Sequence, residues 1–362
     1  MKKQWQCLPV LALWIALTLG AWMLPAQAES DSERRPLAQW PGVTVKQLLN
    51  GSFMDQFEDY TLDQFPLRDS FRRIKTLFHT GVMGQQDSNG IYIHDGFAAK
   101  MEYPLNEASV RNALGRLNRI YEKYLSESRV FMAVVPDKNY YLAPESDRMA
   151  LDYEKLFAQV QSGMPWAEHI QLTQTLSLED YYYTDTHWRQ EALLEAAGVL
   201  CEAMGIMPPQ SGDFTPVRLE KPFYGVYHGQ SALPLAPEDL YIMESPVLSQ
   251  CTVLDVETGR NMEIYDMSKL TSRDLYDVYL GGAKALLVIE NPSANTDKEL
   301  IVFRDSFGSS MIPLLVPGYA KITVVDIRYV GTELLDKFIE FKGQDVLMLY
   351  STLILNSSSA MK

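Results

Sequence analysis

The chain has 362 residues, 47% of them hydrophobic and 22% charged, with a formal net charge of −14. That apolar fraction is ample for one large domain or two and excludes a disordered chain. So acidic a body argues against nucleic-acid binding and carries no evident patch for anionic lipid.

The N-terminus reads as a signal peptide over residues 1–28. Lys2 and Lys3 form a short basic region, an apolar run covers 8–24, and Ala26-Gln27-Ala28 fits the small-x-small cleavage pattern. The run is near the length that crosses a bilayer, so an uncleaved anchor, with membrane association through the N-terminus, fits too. Either way the body is expected outside the cytoplasm. Residues 1–28 hold Lys2 and Lys3 and no acid, so cleavage takes the charge from −14 to −14 − 2 = −16. Cys7 precedes most of the apolar run and is no lipid acceptor. Cys201 and Cys251 remain, and an exported chain allows either a disulfide or two buried thiols.

Residues 29–90 form an N-terminal helical arm. A helix over 69–80 puts Phe71, Ile74, Leu77 and Phe78 on one face and stops at Gly81. Its Arg68, Arg72, Arg73 and Lys75 read as a solvated face, with contact to a polymer or membrane as the other reading. Residues 91–362 form the main domain. A hairpin over 90–97 turns at Asp95-Gly96. A helix over 106–125 leads to a strand over 129–135. That strand ends at Pro136-Asp137-Lys138-Asn139, where α/β folds place functional loops. Helices follow over 153–162 and 189–204. Residues 205–280 are richer in proline, glycine and tyrosine and read as a β-rich insertion, with a hairpin over 251–265 around Thr258-Gly259. Strands over 285–290, 300–303, 321–327 and 345–350 then alternate with helices over 307–316 and 333–341. The pattern is that of an α/β fold with a parallel sheet flanked by helices.

Two stretches carry chemistry. Tyr183-Thr184-Asp185-Thr186-His187-Trp188 precedes a helix, and Arg304-Asp305-Ser306-Phe307-Gly308 joins a strand to a helix. Ser306 would sit at the carboxyl edge of the sheet, where a nucleophile is exposed and helix amides can face an oxyanion. A helix N-cap is the other reading of a serine there. Ser309 and Ser310 lie too far into the helix. Among five histidines, only His187 follows a carboxylate by two residues. In a tight turn Asp185 can hold one tautomer of that imidazole. The competing reading is a capping Asp185 beside a packed histidine. His79, His94, His169 and His228 are scattered, so no metal site is expected, and serine acyl transfer requires no cofactor.

These stretches resemble the SGNH-hydrolase-like domain of the alginate O-acetylation proteins AlgJ and AlgX, and resemble more closely still the bacterial DHHW proteins. The resemblance spans about residues 45–356. It includes Asp63-Gln64-Phe65-Pro66-Leu67-Arg68, Pro136-Asp137-Lys138, Tyr224-Gly225, Gln230-Ser231-Ala232-Leu233 and Asp326-Ile327-Arg328-Tyr329. The motif order is permuted, since ordinary SGNH hydrolases place the serine first. Thr186 stands where DHHW proteins often have histidine, and Arg304 replaces the glycine of the usual Gly-Asp-Ser.

The resemblance implies Ser306 as nucleophile, His187 as base and Asp185 as orienting acid. Arg328, Tyr329, Ser351 and Lys138 are candidates for substrate or oxyanion contacts. It implies an O-acetyltransferase acting on a cell-envelope or secreted polysaccharide, with a membrane-bound O-acyltransferase as acetyl donor. A carbohydrate esterase would use the same acyl-enzyme. A non-catalytic polysaccharide-binding assembly protein is the reading from another class.

Overall fold

The computed structural model describes residues 8–210 and 212–362. Lys2, Lys3 and Cys7 lie outside the described residues. The chain divides into two units, Met1–Gly90 with Val226–Leu235, and Ile91–Gly225 with Ala236–Lys362. The segment taken from sequence as one insertion over 205–280 is therefore shared between the two.

In the first unit the apolar helix α1 is Leu8–Met23. No described helix is long and apolar enough to cross a membrane. Strands β1 (Glu29–Ser30) and β2 (Arg35–Pro36) pair antiparallel. Helices α2 (Val45–Leu49), α3 (Ser52–Asp63) and α4 (Arg68–Gly81) follow, and the short helix Val226–Ser231, α9 in chain order, joins them. Polar contacts hold this unit. Arg35 clasps Asp63 with both guanidinium nitrogens, at 2.8 and 2.6 Å. Arg72 meets Glu33 at 3.1 Å and donates to the carbonyls of Gly229 and Gln230. Arg68 pairs with Glu33 as well. Two of the four cations read as a solvated face are thus engaged, while Arg73 and Lys75 are exposed.

The second unit contains an eight-stranded sheet. It opens with a separate hairpin, β3 (Ile91–His94) and β4 (Phe97–Lys100). The strands and helices then run β5 (Val130–Val135), β6 (Glu168–Gln171), β7 (Thr215–Arg218), β8 (Tyr241–Glu244), β9 (Thr252–Asp255), β10 (Arg260–Met262), β11 (Leu286–Glu290), β12 (Glu299–Arg304), β13 (Lys321–Val325) and β14 (Asp345–Ser351), with α5 (Glu107–Ile120), α6 (Asn139–Ser146), α7 (Tyr153–Gly163), α8 (Leu194–Met204), α10 (Gly308–Leu315) and α11 (Thr352–Asn356) between them. The sheet order is β10-β9-β11-β13-β12-β14-β5-β6, and β7 pairs with β8 apart from it. The five strands from β13 to β6 are mutually parallel. Both faces of the sheet are covered, which is why its strands read as unbroken apolar runs. On β12, Leu300 and Val302 pack with Ala196, Leu200 and Met311 of α8 and α10. Ile301 and Phe303 face the other way, toward Val110, Leu117 and Leu156 of α5 and α7.

Three details depart from the expected parallel pattern. Strand β11 runs antiparallel to β13, and the hairpin β9–β10 extends that edge antiparallel in turn. The link from β11 to β12 is residues 291–298, and a parallel crossover needs a dozen or more. Strand β6 is Glu-His-Ile-Gln, too polar to announce itself at the sheet edge. The helix expected over 333–341 is a 3-10 turn, Thr332–Lys337, where Leu335 and Ile339 are buried but Leu334 and Phe338 are exposed.

Candidate active site

Strand β12 lies between β13 and β14 and delivers the chain into the turn 305–307 at the sheet's carboxyl edge. Asp305 ties this turn together. One carboxylate oxygen accepts from Phe307 N at 3.0 Å, and the other accepts from Ser351 N at 2.8 Å and Ser351 Oγ at 2.6 Å. Helix α10 then starts at once, and no side chain caps it. A Cβ on Gly308 would lie 2.7 Å from Arg304 Cβ, so the residue following the turn has to be glycine. Ser306 is half-buried and its hydroxyl points elsewhere.

That hydroxyl meets His187. Ser306 Oγ is 2.8 Å from His187 Nε2, and His187 Nδ1 is 2.6 Å from Asp185 Oδ1. A carboxylate can only accept, so Nδ1 donates to Asp185, and in the neutral ring Nε2 accepts from the serine hydroxyl. The same Asp185 oxygen also accepts from His187 N at 3.1 Å. The tight turn expected from the Asp-x-His spacing is a loop closed by an antiparallel bridge between Tyr181 and Trp188. A 3-10 turn, Gln190–Ala192, precedes α8, so the helix begins five residues later than the sequence suggested.

Around the imidazole are residues that sequence reasoning did not find. Tyr276, on the 3-10 turn Leu275–Val278, stacks on His187 with ring centroids 3.9 Å apart and planes 8° apart. Its hydroxyl and Ser310 Oγ are 2.8 Å apart, and Trp188 Nε1 donates to Ser310 Oγ and to the carbonyl of Phe307. No local motif marks Tyr276, which lies 89 positions along the chain from His187. Burial raises its phenol pKa well above the ordinary value, so it stays a neutral stacking partner.

The four further candidates emerge at the same sheet edge, after β5, β13 and β14, but three of them are engaged in structural contacts. Lys138 is buried and donates to the carbonyls of Tyr182 at 2.6 Å and Tyr183 at 3.2 Å. Burial pulls its pKa down to about 7 against the fields of Glu238, Asp185 and Asp137. Arg328 grips Asp326 with two nitrogens, at 2.9 and 2.6 Å. Burial works against its charge, yet the Asp326 carboxylate prevails and raises its pKa. Ser351 gives its hydroxyl to Asp305 and caps α11. Tyr329 alone offers an exposed ring, with the Arg328 guanidinium 5.5 Å from its centroid. Arg304, buried beside Asp326 at 3.6 Å, donates to the carbonyls of Gly282 and Asp305 and so packs beneath the turn. Among the described residues, no group of three or more His, Cys, Asp or Glu side chains could hold a metal ion. Cys201 and Cys251 are free, buried thiols, which decides between the two readings of that pair.

No protein of curated function matches the sequence. Among solved structures, a DHHW family protein from Eubacterium siraeum superposes with a TM-score of 0.61 at 19% identity, covering 76% of this chain and 94% of that one. Bacillus cereus PatB1 gives 0.56 at 18% identity, covering 73% and 95%. The O-acetyltransferase domain of Pseudomonas putida AlgJ lies further off, at 0.45 and 13% identity over 74% and 92%. Residues 174–325 match the family described as DHHW protein. The resemblance read from the two motifs therefore holds: the chain is similar to DHHW proteins in sequence over 174–325 and in its α/β fold over most of its length.

Proposed function

We propose that this chain is an extracytoplasmic O-acetyltransferase that passes an acetyl group through Ser306 to a hydroxyl of a cell-envelope or secreted polysaccharide. The observation that carries the proposal is the unbroken line Asp185–His187–Ser306, with links of 2.6 and 2.8 Å at the carboxyl edge of the sheet. His187 Nε2 takes the Ser306 proton as Oγ attacks the acetyl carbonyl. The imidazolium then returns that proton to the leaving group, and an acetyl ester remains on Ser306. In the second half, His187 removes a proton from the acceptor hydroxyl, whose oxygen attacks the ester, and the imidazolium returns that proton to the departing Ser306 Oγ. Asp185 faces the imidazolium in both halves.

The acceptor class is supported by the resemblance to alginate O-acetylation proteins and by the exposed rings of Tyr183 and Tyr329, which suit stacking on a sugar face. Acetyl-CoA is not expected outside the cytoplasm, so a membrane-bound O-acyltransferase is the donor this reading requires. The structure of Bacillus cereus PatB1 carries a sulfonyl adduct, and a sulfonyl fluoride is accordingly the probe of choice. It should modify Ser306 in this chain, as read by peptide mass spectrometry. An activated acetyl ester supplied with oligosaccharides should then yield acetylated sugar. Free acetate alone would replace transfer with hydrolysis, and an unmodified Ser306 would remove the catalytic reading altogether.

A further inference from the structure

The loop that presents Asp185 and His187 is gripped from two sides by charges of opposite sign, a buried Lys138 and a half-buried Glu238. Lys138, just past β5, donates through one ammonium to the carbonyls of Tyr182 and Tyr183. Glu238, just before β8, accepts from the N–H groups of Tyr183 and Thr184 and from Thr184 Oγ1, the last two at 2.6 Å. Glu238 is itself fixed by an antiparallel bridge to Phe223. The backbone then closes from a third side. Gly225 N donates to Thr184 Oγ1 at 2.9 Å, and a Cβ on Gly225 would fall 2.2 Å from the Thr184 carbonyl. From β4, Ala98 N donates to the Tyr183 carbonyl at 2.8 Å, so four segments distant in sequence converge on residues 182–184, directly before Asp185.

We propose that Glu238 and Lys138 are paired positioning residues that lock the 182–184 backbone and thereby hold Asp185 and His187 in line with Ser306. Neither touches the reacting atoms. Buried amides and carbonyls need partners, and ionised partners make the shorter, stronger hydrogen bonds. Lys138 gives its ammonium to the two carbonyls of Tyr182 and Tyr183. The two carboxylate oxygens of Glu238 are both needed, because the amides of 183 and 184 and the Thr184 hydroxyl all point at them. Loss of Lys138 would take the donor from the Tyr182 carbonyl, and loss of Glu238 would take the acceptor from the amides of Tyr183 and Thr184, so that either change lets the loop shift. A displacement of about 1 Å in a catalytic group can cost on the order of 100-fold in rate.

This inference rests on the Ser306 reading, and the experiment separates the two. Glu238→Ala, Glu238→Gln and Lys138→Met are compared with wild type. Active sites are counted with a sulfonyl fluoride, and kcat and KM for a chromogenic acetyl ester are expressed per counted site. The expected result is a fall in kcat of roughly 10- to 100-fold in Glu238→Ala and Lys138→Met, with KM within about twofold. Glu238→Gln should fall less, because its amide oxygen still accepts both Thr184 bonds. Should Glu238→Ala not fold, the order of wild type, Glu238→Gln and Lys138→Met decides. Wild-type kcat per counted site in the variants would overturn the clamp and leave the Ser306 reading standing. A wild type that does not react with the sulfonyl fluoride would overturn both.

Discussion

The turn that carries Ser306 and the loop that carries His187 meet across 2.8 Å, yet different kinds of structure hold them. The turn is built from its neighbours. Two parallel strands flank β12, Asp305 bonds within the turn and to the end of β14, and α10 leaves at once. The loop is built from distant parts. Lys138, Glu238, Gly225 and Tyr276 all come from other segments, and three of them lie in loops and turns between α8 and β11. The sheet therefore fixes Ser306, and the stretch between α8 and β11 fixes His187. Damage to that stretch should impair proton transfer while leaving the serine in place.

The largest expected effect is on the turn. Ser306→Ala should abolish sulfonyl labelling and the acetyl-ester burst. The fold should be kept, since the hydroxyl caps no helix and its loss removes a single hydrogen bond, about 1 kcal/mol by urea denaturation. A burst persisting in that variant would mean another nucleophile. On the loop side, Asp185→Asn should leave the geometry intact but allow the wrong imidazole tautomer, reducing kcat by about 10⁴-fold. If the loss were only severalfold, Asp185 would be a turn-former and not the orienting acid.

This division also explains what was legible in the sequence. Covered on both faces, β5, β12, β13 and β14 announce themselves as apolar runs, and a strand ending in Asp305-Ser306-Phe307 places Ser306 at the sheet edge by local logic alone. The Asp185-x-His187 spacing is equally local. Tyr276 and Glu238 carry no such signature, because what they do depends on contacts across the fold. Lys138 is a candidate by its place past a strand end, and only the contacts across the fold show what it bonds to. Its ammonium is buried against the carbonyls of Tyr182 and Tyr183. Nor could alternation reveal that β11 runs against its neighbour, since direction is set by the length of a connection and not by the run itself.

A smaller effect separates packing from bonding beneath the base. Tyr276→Phe keeps the stacked ring and gives up only the contact with Ser310, so kcat should change by no more than severalfold. Tyr276→Leu removes the aromatic face 3.9 Å from the imidazole and should lower kcat by about tenfold with KM unchanged. Equal losses in the two variants would mean that the hydroxyl, and not the ring, steadies His187.

Lys138 adds a pH dependence whose sign is fixed by its lowered pKa. In the folded chain it titrates at about 7, against an ordinary value of 10.5 in the unfolded chain. Between those values the unfolded state binds more protons, so this residue's contribution to stability rises with pH. It is full above 10.5 and is lost as pH falls through 7. Urea unfolding of wild type and Lys138→Met at pH 7 and pH 9.5 should therefore show wild type gaining on the variant at the higher pH. A gap that does not widen would mean that the ammonium is better compensated by Glu238, Asp185 and Asp137 than its burial suggests.

The smallest effect reports on how independently the base side opens. Cys251 lies directly before β9, and its thiol donates to the carbonyl of Val247 at 3.2 Å. Cys201 lies in α8, packed among residues of the sheet core. Burial pushes their pKa values up to about 11 and about 12 respectively, so at pH 8 both should be thiols and nearly inert to an aromatic disulfide reagent. If the stretch between α8 and β11 opens on its own, Cys251 should react faster than the chain unfolds globally, while Cys201 waits for the sheet. Reaction of both at the global unfolding rate would show that the two sides of the site open as one cooperative body. The total in denaturant carries further information, because the sequence has three cysteines. Two titratable thiols per chain would follow from removal of residues 1–28, and three would mean that the segment containing Cys7 is retained.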